Sequence, residues 1–97
     1  MMLQNKIAVI YGAGGSLGGA VSKALAGAGA RVFLTGHRKE SIQITAGEIL
    51  SSGGKAEVAV VDAMDEKAIH EHLDSVVKTA GKVDISFNAV DIPVIQV

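Results

Sequence analysis

The sequence predicts an α/β fold: a parallel sheet of about four strands with helices on both faces. Short β-branched apolar runs alternate along the chain with longer segments whose apolar residues recur every three or four positions, and this alternation is typical of strand–helix–strand units. Glycines also stand at the junctions between these runs. Because about 98% of strand–helix–strand connections are right-handed, we expect the first two strands to be parallel neighbours with the helix on one face.

Four apolar runs are predicted to form the strands. Each run is short, is rich in β-branched side chains and ends near glycine or a polar residue, as buried strands do. They lie at residues 7–11, 31–35, 56–61 and 83–87. If all four strands run the same way, their carboxyl ends meet at one edge of the sheet.

Three helices are predicted between these strands. The first is expected to turn an apolar stripe toward the sheet, formed by Leu17, Val21, Ala24, Leu25 and Ala28. The second covers roughly residues 40–51, and its stripe is Ile42, Ala46, Ile49 and Leu50. The third begins after Asp65, a good N-cap residue, and its stripe is Ile69, Leu73, Val76, Val77 and Ala80.

Two histidines, His70 and His72, lie on the third predicted helix. Residues two positions apart are about 200° apart around a helix axis, so these two imidazoles cannot share a metal ion. We expect both side chains to be solvated.

Length and composition limit the function classes. With 97 residues, the chain is one domain at most. Apolar residues make up 48% and the net charge is −1, so neither nucleic acid nor an anionic membrane is expected as a partner. There is no cysteine, which excludes disulfides and thiolate metal sites. Because the N-terminus lacks a signal-peptide pattern and no apolar run approaches about 18 residues, we expect a cytoplasmic protein.

A glycine-rich turn joins the first strand to the first helix. The spelling G-x-G-x-x-G fails because position 17 is Leu, and G-x-x-x-x-G-K-[ST] fails because Ala20 and Val21 follow Gly19. The spacings that do fit are Gly12-x-x-Gly15-x-x-Gly18 and Gly12-x-Gly14-x-x-x-Gly18. A strand, a glycine turn and a helix N-terminus together direct backbone amides at one point, where a phosphate binds without a cationic side chain.

The glycines of this turn are predicted to have separate roles. Gly12 allows the tight turn, Gly14 or Gly15 allows close approach of a pyrophosphate, and Gly18 allows the helix to lie close to the strand. Backbone amides up to Ser16 and Leu17 are expected to complete the cradle. The alternative is an ordinary turn without a ligand, but a glycine inside a helix costs about 1 kcal/mol, which favours a functional reason for Gly18.

The end of the second strand indicates the type of dinucleotide. An NAD site places Asp or Glu here to bind the ribose hydroxyls, but residues 34–37 read Leu-Thr-Gly-His. His37, Arg38 and Lys39 follow instead, and an arginine can bind a 2′-phosphate through paired, charge-assisted hydrogen bonds. NADP(H) is therefore favoured over NAD(H). A solvated basic turn is the alternative interpretation.

Asp62 and Ala63 follow the third strand, at the edge where open α/β sheets bind ligands. The Asp62 carboxylate could accept a hydrogen bond from an adenine amino group, or it could serve turn or capping chemistry. The residues alone leave these two roles open.

With these motifs in view, the chain resembles the N-terminal half of the short-chain dehydrogenase/reductase family over essentially its whole length. Gly12, Gly15 and Gly18 fit the family pattern TGxxGxxG, with Tyr11 in place of the Thr. Asp62 matches the family aspartate that contacts adenine. The family motif NNAG, which lines the adenosine pocket, is matched in part by Phe87-Asn88-Ala89-Val90, so the resemblance adds Asn88 and Ala89 to the predicted cofactor-binding residues.

The resemblance implies a fold and an activity. Residues 1–97 would be an NAD(P)-binding Rossmann half-domain with strand order 3-2-1-4, from an enzyme that transfers hydride between NADP(H) and a carbonyl or alcohol substrate. The family's catalytic Tyr, Lys and Ser belong to a later region, so no catalytic residue is expected here and the 97 residues alone should be inactive. The alternative is a non-catalytic nucleotide-binding or interaction module.

The family strand order also has a consequence for assembly. A chain that stops after its fourth strand leaves that strand without its next neighbour, and open apolar strand edges recruit partners. We therefore expect a homo-oligomer formed through this exposed sheet edge, with residues 92–97 pairing onto a neighbouring chain.

Overall fold

The computed structural model describes residues 2–89. Its strands are β1 (Ile7–Tyr11), β2 (Arg31–Gly36), β3 (Lys55–Val60) and β4 (Ile85–Asn88). Its helices are α1 (Ser16–Gly27), α2 (Lys39–Ser51) and α3 (Glu66–Ala80). The strands form a single sheet of order β3-β2-β1-β4 with parallel pairing throughout. The predicted fold class and strand order are therefore confirmed.

The strand boundaries differ slightly from the prediction. β2 reaches Gly36, β3 covers Lys55–Val60, and β4 begins at Ile85 instead of residue 83. At the start of β4, the Asp84 carboxylate accepts a hydrogen bond from the N–H of Ile7 at 2.8 Å. The N–H of Asp84 also donates to the carbonyl of Ile7 at 2.9 Å, so contact with β1 already begins at Asp84, one residue before the strand. Val90 and residues 92–97, which carried predictions about the adenosine pocket and about pairing, lie outside the described residues.

The helices cover both faces of the sheet, as predicted. α1 and α2 close one face over a core that consists of Ala8, Ile10, Ala13, Ala26, Ala30, Val32, Leu34, Ile42, Ala46 and Ile49. α3 closes the other face over a smaller core that consists of Ile7, Val9, Tyr11, Phe33, Val61, Ala63 and Val76. The central strand β1 alternates between the two cores, which is why all five of its residues are buried.

The predicted apolar stripe of α1 is confirmed only in part, because Val21 and Leu25 pack partly buried against the core. The buried residues of this helix are the small ones, namely Gly18, Gly19, Ser22 and Ala26, whereas Leu17 is 46% exposed and Ala24 is exposed. The helix lies so close to the preceding turn that a Cβ on Gly18 would stand 2.1 Å from the carbonyl oxygen of Gly12. Such close contact selects small side chains, and the larger apolar ones are displaced to the flanks.

The stripes of α2 and α3 are confirmed only in part. Ile42, Ala46 and Ile49 of α2 are buried as predicted, but Leu50 is 55% exposed. On α3, Val76 is buried while Val77 is 46% exposed.

Across residues 2–89, none of the three helices combines the length and apolar character needed to cross a bilayer.

The prediction that both histidines of α3 are solvated holds for His70 and is wrong for His72. His70 is exposed, whereas His72 is half-buried and its Nδ1 lies 3.4 Å from the hydroxyl of Tyr11. The two rings meet edge to face, with centroids 6.0 Å apart. Because His72 is four residues from the buried Val76, both side chains occupy one helix face, a spacing that could have revealed the contact.

Candidate nucleotide-binding site

A cleft of about 520 Å³ opens at the carboxyl ends of the strands. It is lined by Gly12, Gly14, Gly15, Ser16, Leu17, Gly18, Gly36, His37, Arg38, Ser41 and Ala89. The lining therefore comes from the turn after β1, the turn after β2, the first turn of each following helix and the end of β4. In open parallel sheets this edge is where ligands bind.

The turn after β1 is anchored to β2 through its backbone. Gly12 adopts a positive φ of 82°, a conformation that glycine reaches without strain. The N–H groups of Gly12 and Ala13 both donate to the carbonyl of Thr35, at 3.1 and 2.8 Å, and Gly15 N–H donates to the Gly12 carbonyl at 3.2 Å. These three amides are thus satisfied within the protein and are not free to bind an anion, contrary to the expectation that the whole turn forms the cradle.

The remaining amides of the turn and of the first turn of α1 have no acceptor within residues 2–89. These are the N–H groups of Gly14, Ser16, Leu17 and Gly18. The N-cap residue of α1, Gly15, supplies no side-chain hydrogen bond, and no acidic residue lies in the first helical turn. Unpaired amides at the positive end of a helix dipole form an anion-binding site.

The glycines around these amides differ in how much space lies beside them. A Cβ on Gly18 would stand 2.1 Å from the Gly12 oxygen, and a Cβ on Gly14 would stand 2.7 Å from Cβ of Ser41. The corresponding position on Gly15 has only one neighbour within 4 Å, the Gly12 oxygen at 3.7 Å. Packing therefore accounts for Gly14 and Gly18, whereas the open space beside Gly15 favours it as the point of close ligand approach.

The basic end of the cleft is formed by His37 and Arg38. Arg38 is the N-cap residue of α2, and its guanidinium forms no ion pair with any described residue. His37 Nε2 lies 3.6 Å from Oδ1 of Asp62, and both side chains are more than half exposed. The cationic group of Arg38 is thus available to a ligand, at the strand end where an NAD site carries a carboxylate.

Three predicted residues, Asp62, Ala63 and Asn88, do not line this cleft. The Asp62 carboxylate accepts a hydrogen bond from the N–H of Met64 at 2.9 Å, so the turn chemistry left open by the sequence is present. Ala63 is 7% exposed within the core under α3, and Asn88 pairs with Tyr11 across the sheet. The other predicted residues all line the cleft.

Sequence reasoning missed two lining residues, Gly36 and Ser41. A Cβ on Gly36 would stand 2.8 Å from Cγ2 of Ile42 and 3.8 Å from the nitrogen of Gly14. Gly36 thus lets α2 and the glycine turn approach β2 closely. The available signals were the glycine that ends the second strand and the small polar residue in the first turn of α2.

Tyr11 lies beside the turn in sequence, but its side chain faces away from the cleft. It is 2% exposed within the core under α3. Burial raises the pKa of its hydroxyl to about 12, and burial lowers the pKa of the neighbouring His72. The larger residue in place of the family Thr therefore does not fill the cleft.

A second cleft, of about 590 Å³, lies at the opposite edge of the sheet. It is larger but less suited to a phosphate, because it is bordered by the C-terminal ends of α1 and α2, where helix dipoles are negative. Its Lys23 and Glu48 already form an ion pair at 3.4 Å. Within residues 2–89, no group of three or more His, Cys, Asp or Glu side chains could hold a metal ion.

Known proteins share this sequence pattern and this fold. A family model described as short chain dehydrogenase matches residues 6–96. The uncharacterized oxidoreductase YxbG of Bacillus subtilis is 36% identical over 86 residues, which cover 89% of this chain and 32% of that protein. The chain spans about a third of the length of the curated relatives it matches.

Several similar solved structures contain a dinucleotide, among them the following two. A metagenomic short-chain oxidoreductase in complex with NADP has a TM-score of 0.85 and 31% identity, and the match covers 89% of this chain and 39% of that one. NAD⁺-bound xylitol dehydrogenase has a TM-score of 0.84 and 30% identity, and that match covers 90% of this chain and 34% of the other. The family thus uses nicotinamide dinucleotides of both kinds. Because the family pattern extends over residues 6–96 and its solved members share this parallel sheet, the chain belongs to the short-chain dehydrogenase family.

Proposed function

We propose that this chain is the nucleotide-binding portion of an NADP(H)-dependent short-chain oxidoreductase that acts on a carbonyl or alcohol substrate. The observation that carries the proposal is the set of acceptor-free amides at the start of α1, within a cleft whose other end is basic. A diphosphate supplies the acceptors that these amides lack. When bound, the cofactor supplies or accepts the hydride.

The preference for NADP(H) rests on the turn after β2. Arg38 and His37 line the cleft there, and no carboxylate follows β2 directly. Arginine can bind a 2′-phosphate with two parallel hydrogen bonds. By contrast, the ribose hydroxyls of NAD(H) would find no acidic partner at this strand end.

The adenosine end of the cofactor is assigned to the ends of β3 and β4. Asp62, Ala63, Asn88 and Ala89 are proposed to contact it, and of these Ala89 lines the cleft. Asp62 lies within 3.6 Å of His37, so its carboxylate is near the basic end of the site. The N–H of Met64 occupies one lone pair of Asp62 Oδ1, and the remaining lone pairs of the carboxylate could accept from an adenine amino group.

Arg38→Ala tests the cofactor preference. We expect it to weaken NADPH binding by about 1.5–3 kcal/mol, because a charge-assisted pair is lost, and to leave NADH binding nearly unchanged. Isothermal titration of the 97-residue chain with NADPH, NADH and 2′,5′-ADP measures both affinities. Lys39→Ala is the matched control, because it removes a neighbouring positive charge that does not line the cleft. Equal losses for the two cofactors in Arg38→Ala contradict the phosphate role.

Binding itself is tested by thermal unfolding of the unsubstituted chain. A ligand at 100 times its Kd stabilises a protein by about 2.7 kcal/mol, so NADPH at millimolar concentration should raise Tm clearly. No shift with NADPH, NADH or 2′,5′-ADP contradicts a working nucleotide site.

The parent activity is a separate part of the proposal. We expect the 97 residues alone to show no turnover of NADPH with carbonyl substrates, and we expect a Tyr-x-x-x-Lys segment in the coding frame beyond Val97. Turnover by the isolated chain contradicts the first expectation. Absence of that segment favours the alternative, a non-catalytic nucleotide-binding module.

We also propose that copies of this chain associate through β4. Among the described residues, β4 is an edge strand of the sheet, and edge strands can recruit other strands. Light scattering at high protein concentration is expected to give a mass above that of one chain, and a monomer contradicts this. The cytoplasmic location and the absence of nucleic-acid and membrane partners stay predictions.

A further inference from the structure

Ala13, the second residue of the glycine turn, is held by hydrogen bonds from two different elements. Its N–H donates to the carbonyl of Thr35 in β2 at 2.8 Å. Its carbonyl accepts from the hydroxyl of Thr45 in α2 at 3.3 Å. Ala13 is fully buried and Thr45 is 7% exposed, so neither bond faces competition from bulk water. The turn is therefore fixed by β2 on one side and by α2 on the other.

The bond from Thr45 also determines the direction of a neighbouring amide. The carbonyl of Ala13 and the N–H of Gly14 belong to one planar trans peptide unit, in which they point in opposite directions. Holding the Ala13 carbonyl therefore fixes the orientation of the Gly14 N–H. That N–H has no acceptor within residues 2–89, and Gly14 lines the cleft.

We propose that Thr45 is a positioning residue for the diphosphate site: its hydroxyl holds the Ala13–Gly14 peptide so that the Gly14 N–H is available to a phosphate oxygen. The inference rests on the proposed function. It also connects the two ends of the cleft, because Thr45 lies in α2, the helix that begins directly after Arg38. The helix whose N-cap is proposed to bind the 2′-phosphate thus also orients an amide for the diphosphate.

A purely structural role for Thr45 makes a different prediction. The same hydroxyl lies 3.5 Å from the carbonyl of Ser41, one turn earlier in its own helix. A hydroxyl has a single hydrogen to donate, and threonine bonds of this intrahelical kind contribute little to helix stability. If the Ser41 carbonyl were the true acceptor, loss of the hydroxyl would leave the glycine turn unchanged.

Thr45→Val and Thr45→Ser separate these roles. Valine keeps the shape and removes the hydroxyl, so we expect ADP to bind about 3- to 10-fold more weakly, as for the loss of one hydrogen bond. Serine keeps the hydroxyl and should restore the affinity. Adenosine 2′-monophosphate, which has no 5′-diphosphate, should bind all variants equally. Thr45→Ala is the second variant without the hydroxyl, for use if valine lowers the folded fraction.

Ser22→Ala is the matched control. The hydroxyl of Ser22 is also fully buried and donates to a carbonyl four residues earlier, that of Gly18, at 2.6 Å. Its removal takes away a buried intrahelical bond without touching Ala13. We expect little change in stability and an unchanged affinity for ADP.

A measurement without ligand completes the test. In Thr45→Val, the amide ¹H and ¹⁵N shifts of Gly14 should change, because the carbonyl of the same peptide unit loses its donor, while Ser22→Ala leaves both shifts as in the unsubstituted chain. Unchanged Gly14 signals together with unchanged ADP affinity in Thr45→Val overturn the positioning role alone. Failure of the unsubstituted chain to bind ADP instead overturns the proposed function, and the diphosphate role of Thr45 with it.

Discussion

Two helices begin at the same edge of this sheet, yet their N-termini are opposite in chemistry. At α3, the Asp65 carboxylate accepts hydrogen bonds from the N–H groups of Lys67 and Ala68, at 3.0 and 3.2 Å. At α1, the equivalent cap position is Gly15, and the equivalent amides of Leu17 and Gly18 have no acceptor within residues 2–89. One helix satisfies its own amides with a side chain, whereas the other leaves them exposed in a cleft.

The difference separates structural from functional strand–helix junctions. A carboxylate at an N-cap stabilises a helix and also neutralises the positive end of its dipole, so it removes the features that attract an anion. A glycine at the N-cap lacks that stabilisation and leaves space for a ligand. The local residues of each junction thus indicate its role: Asp65 and Glu66 begin α3, whereas no acidic residue lies in the first turn of α1.

Gly18→Ala is expected to have the largest effect, because it attacks the close contact that holds the α1 terminus in place. Its Cβ would meet the Gly12 carbonyl oxygen at 2.1 Å and the Gly12 carbonyl carbon at 2.8 Å, and backbone atoms cannot rotate away. Overpacking of this kind costs about 3 kcal/mol. Urea denaturation measures the loss in free energy of unfolding. Gly27→Ala is the control, since nothing lies within 4 Å of its Cβ position and alanine favours a helix.

An equal stability of Gly18→Ala and Gly27→Ala would show that α1 does not depend on contact with the turn. The acceptor-free amides at the N-terminus of α1 would then result from the turn sequence and not from close packing.

Gly15→Asp converts the α1 terminus into a copy of the α3 terminus. Gly15 has φ −83° and ψ 170°, an extended conformation open to any residue, and its Cβ position has space. We expect the new carboxylate to bond the amides of Leu17 and Gly18, as Asp65 does at α3, and to stabilise the chain by a few tenths of a kcal/mol. NADPH affinity should fall more than tenfold, because the carboxylate occupies the amides and repels phosphate.

Titration of Gly15→Asp with NADPH is compared with Gly15→Asn and Gly15→Ala. Asn caps the amides without a charge, and Ala adds only a methyl group. We expect the order of affinity to be Ala, then Asn, then Asp. Full NADPH affinity in the Asp variant would mean that these amides do not contact the cofactor.

Asp65→Ala is the reverse change, because it removes the N-cap carboxylate of α3. It should affect only the stability of the chain. Loss of an N-cap carboxylate costs about 1 kcal/mol, because two amides of α3 lose their acceptor. NADPH affinity should stay unchanged, since neither Asp65 nor its partners line the cleft. Thermal unfolding and NADPH titration on the same sample test both expectations. A loss of affinity as large as that of Gly15→Asp would show that the two junctions are not independent.

The sequence was sufficient for what depends on local order along the chain. Element types, the Asp65 cap and the glycine turn all follow from neighbouring residues, and residues from the turns after β1 and β2 lie together because parallel strands end at one edge. The buried face of α1 was not predictable from periodicity. It depends on how closely the helix approaches the turn, which the contact between Gly18 and the Gly12 oxygen decides.

Contacts between distant elements were also missed. Ser41 lines the cleft because α2 lies against Gly14, and the hydroxyl of Thr45 contacts Ala13, 32 positions away in sequence. No local pattern encodes either distance. His72 is the corresponding case under α3, where a polar residue beside an apolar stripe contacts the buried Tyr11 of β1.

The smallest expected effect is a pH dependence of the free energy of unfolding, which arises from the contact between His72 of α3 and Tyr11. Burial lowers the pKa of His72 from its ordinary value of 6.5. Between the folded-state pKa and 6.5 the unfolded chain therefore binds more protons, and the free energy of unfolding should fall as the pH drops through this interval. Asp84 does not interfere, because hydrogen bonds with Ile7 and Lys82 lower its pKa from 3.8 and its contribution is lost only at lower pH.

Urea denaturation between pH 7.5 and 5 tests this dependence. His72→Gln should flatten the pH profile, because the neutral amide cannot titrate, whereas His70→Gln, at an exposed position of the same helix, should keep the profile of the unsubstituted chain. We expect protonation of His72 to weaken its contact with Tyr11 and to leave α1 in contact with its turn. NADPH affinity corrected for the folded fraction should therefore change equally with pH in both variants. Identical pH profiles of stability for His72→Gln and His70→Gln would instead show that another group causes the acid sensitivity. The contact between His72 and Tyr11 would then not contribute to the packing of α3 on the sheet.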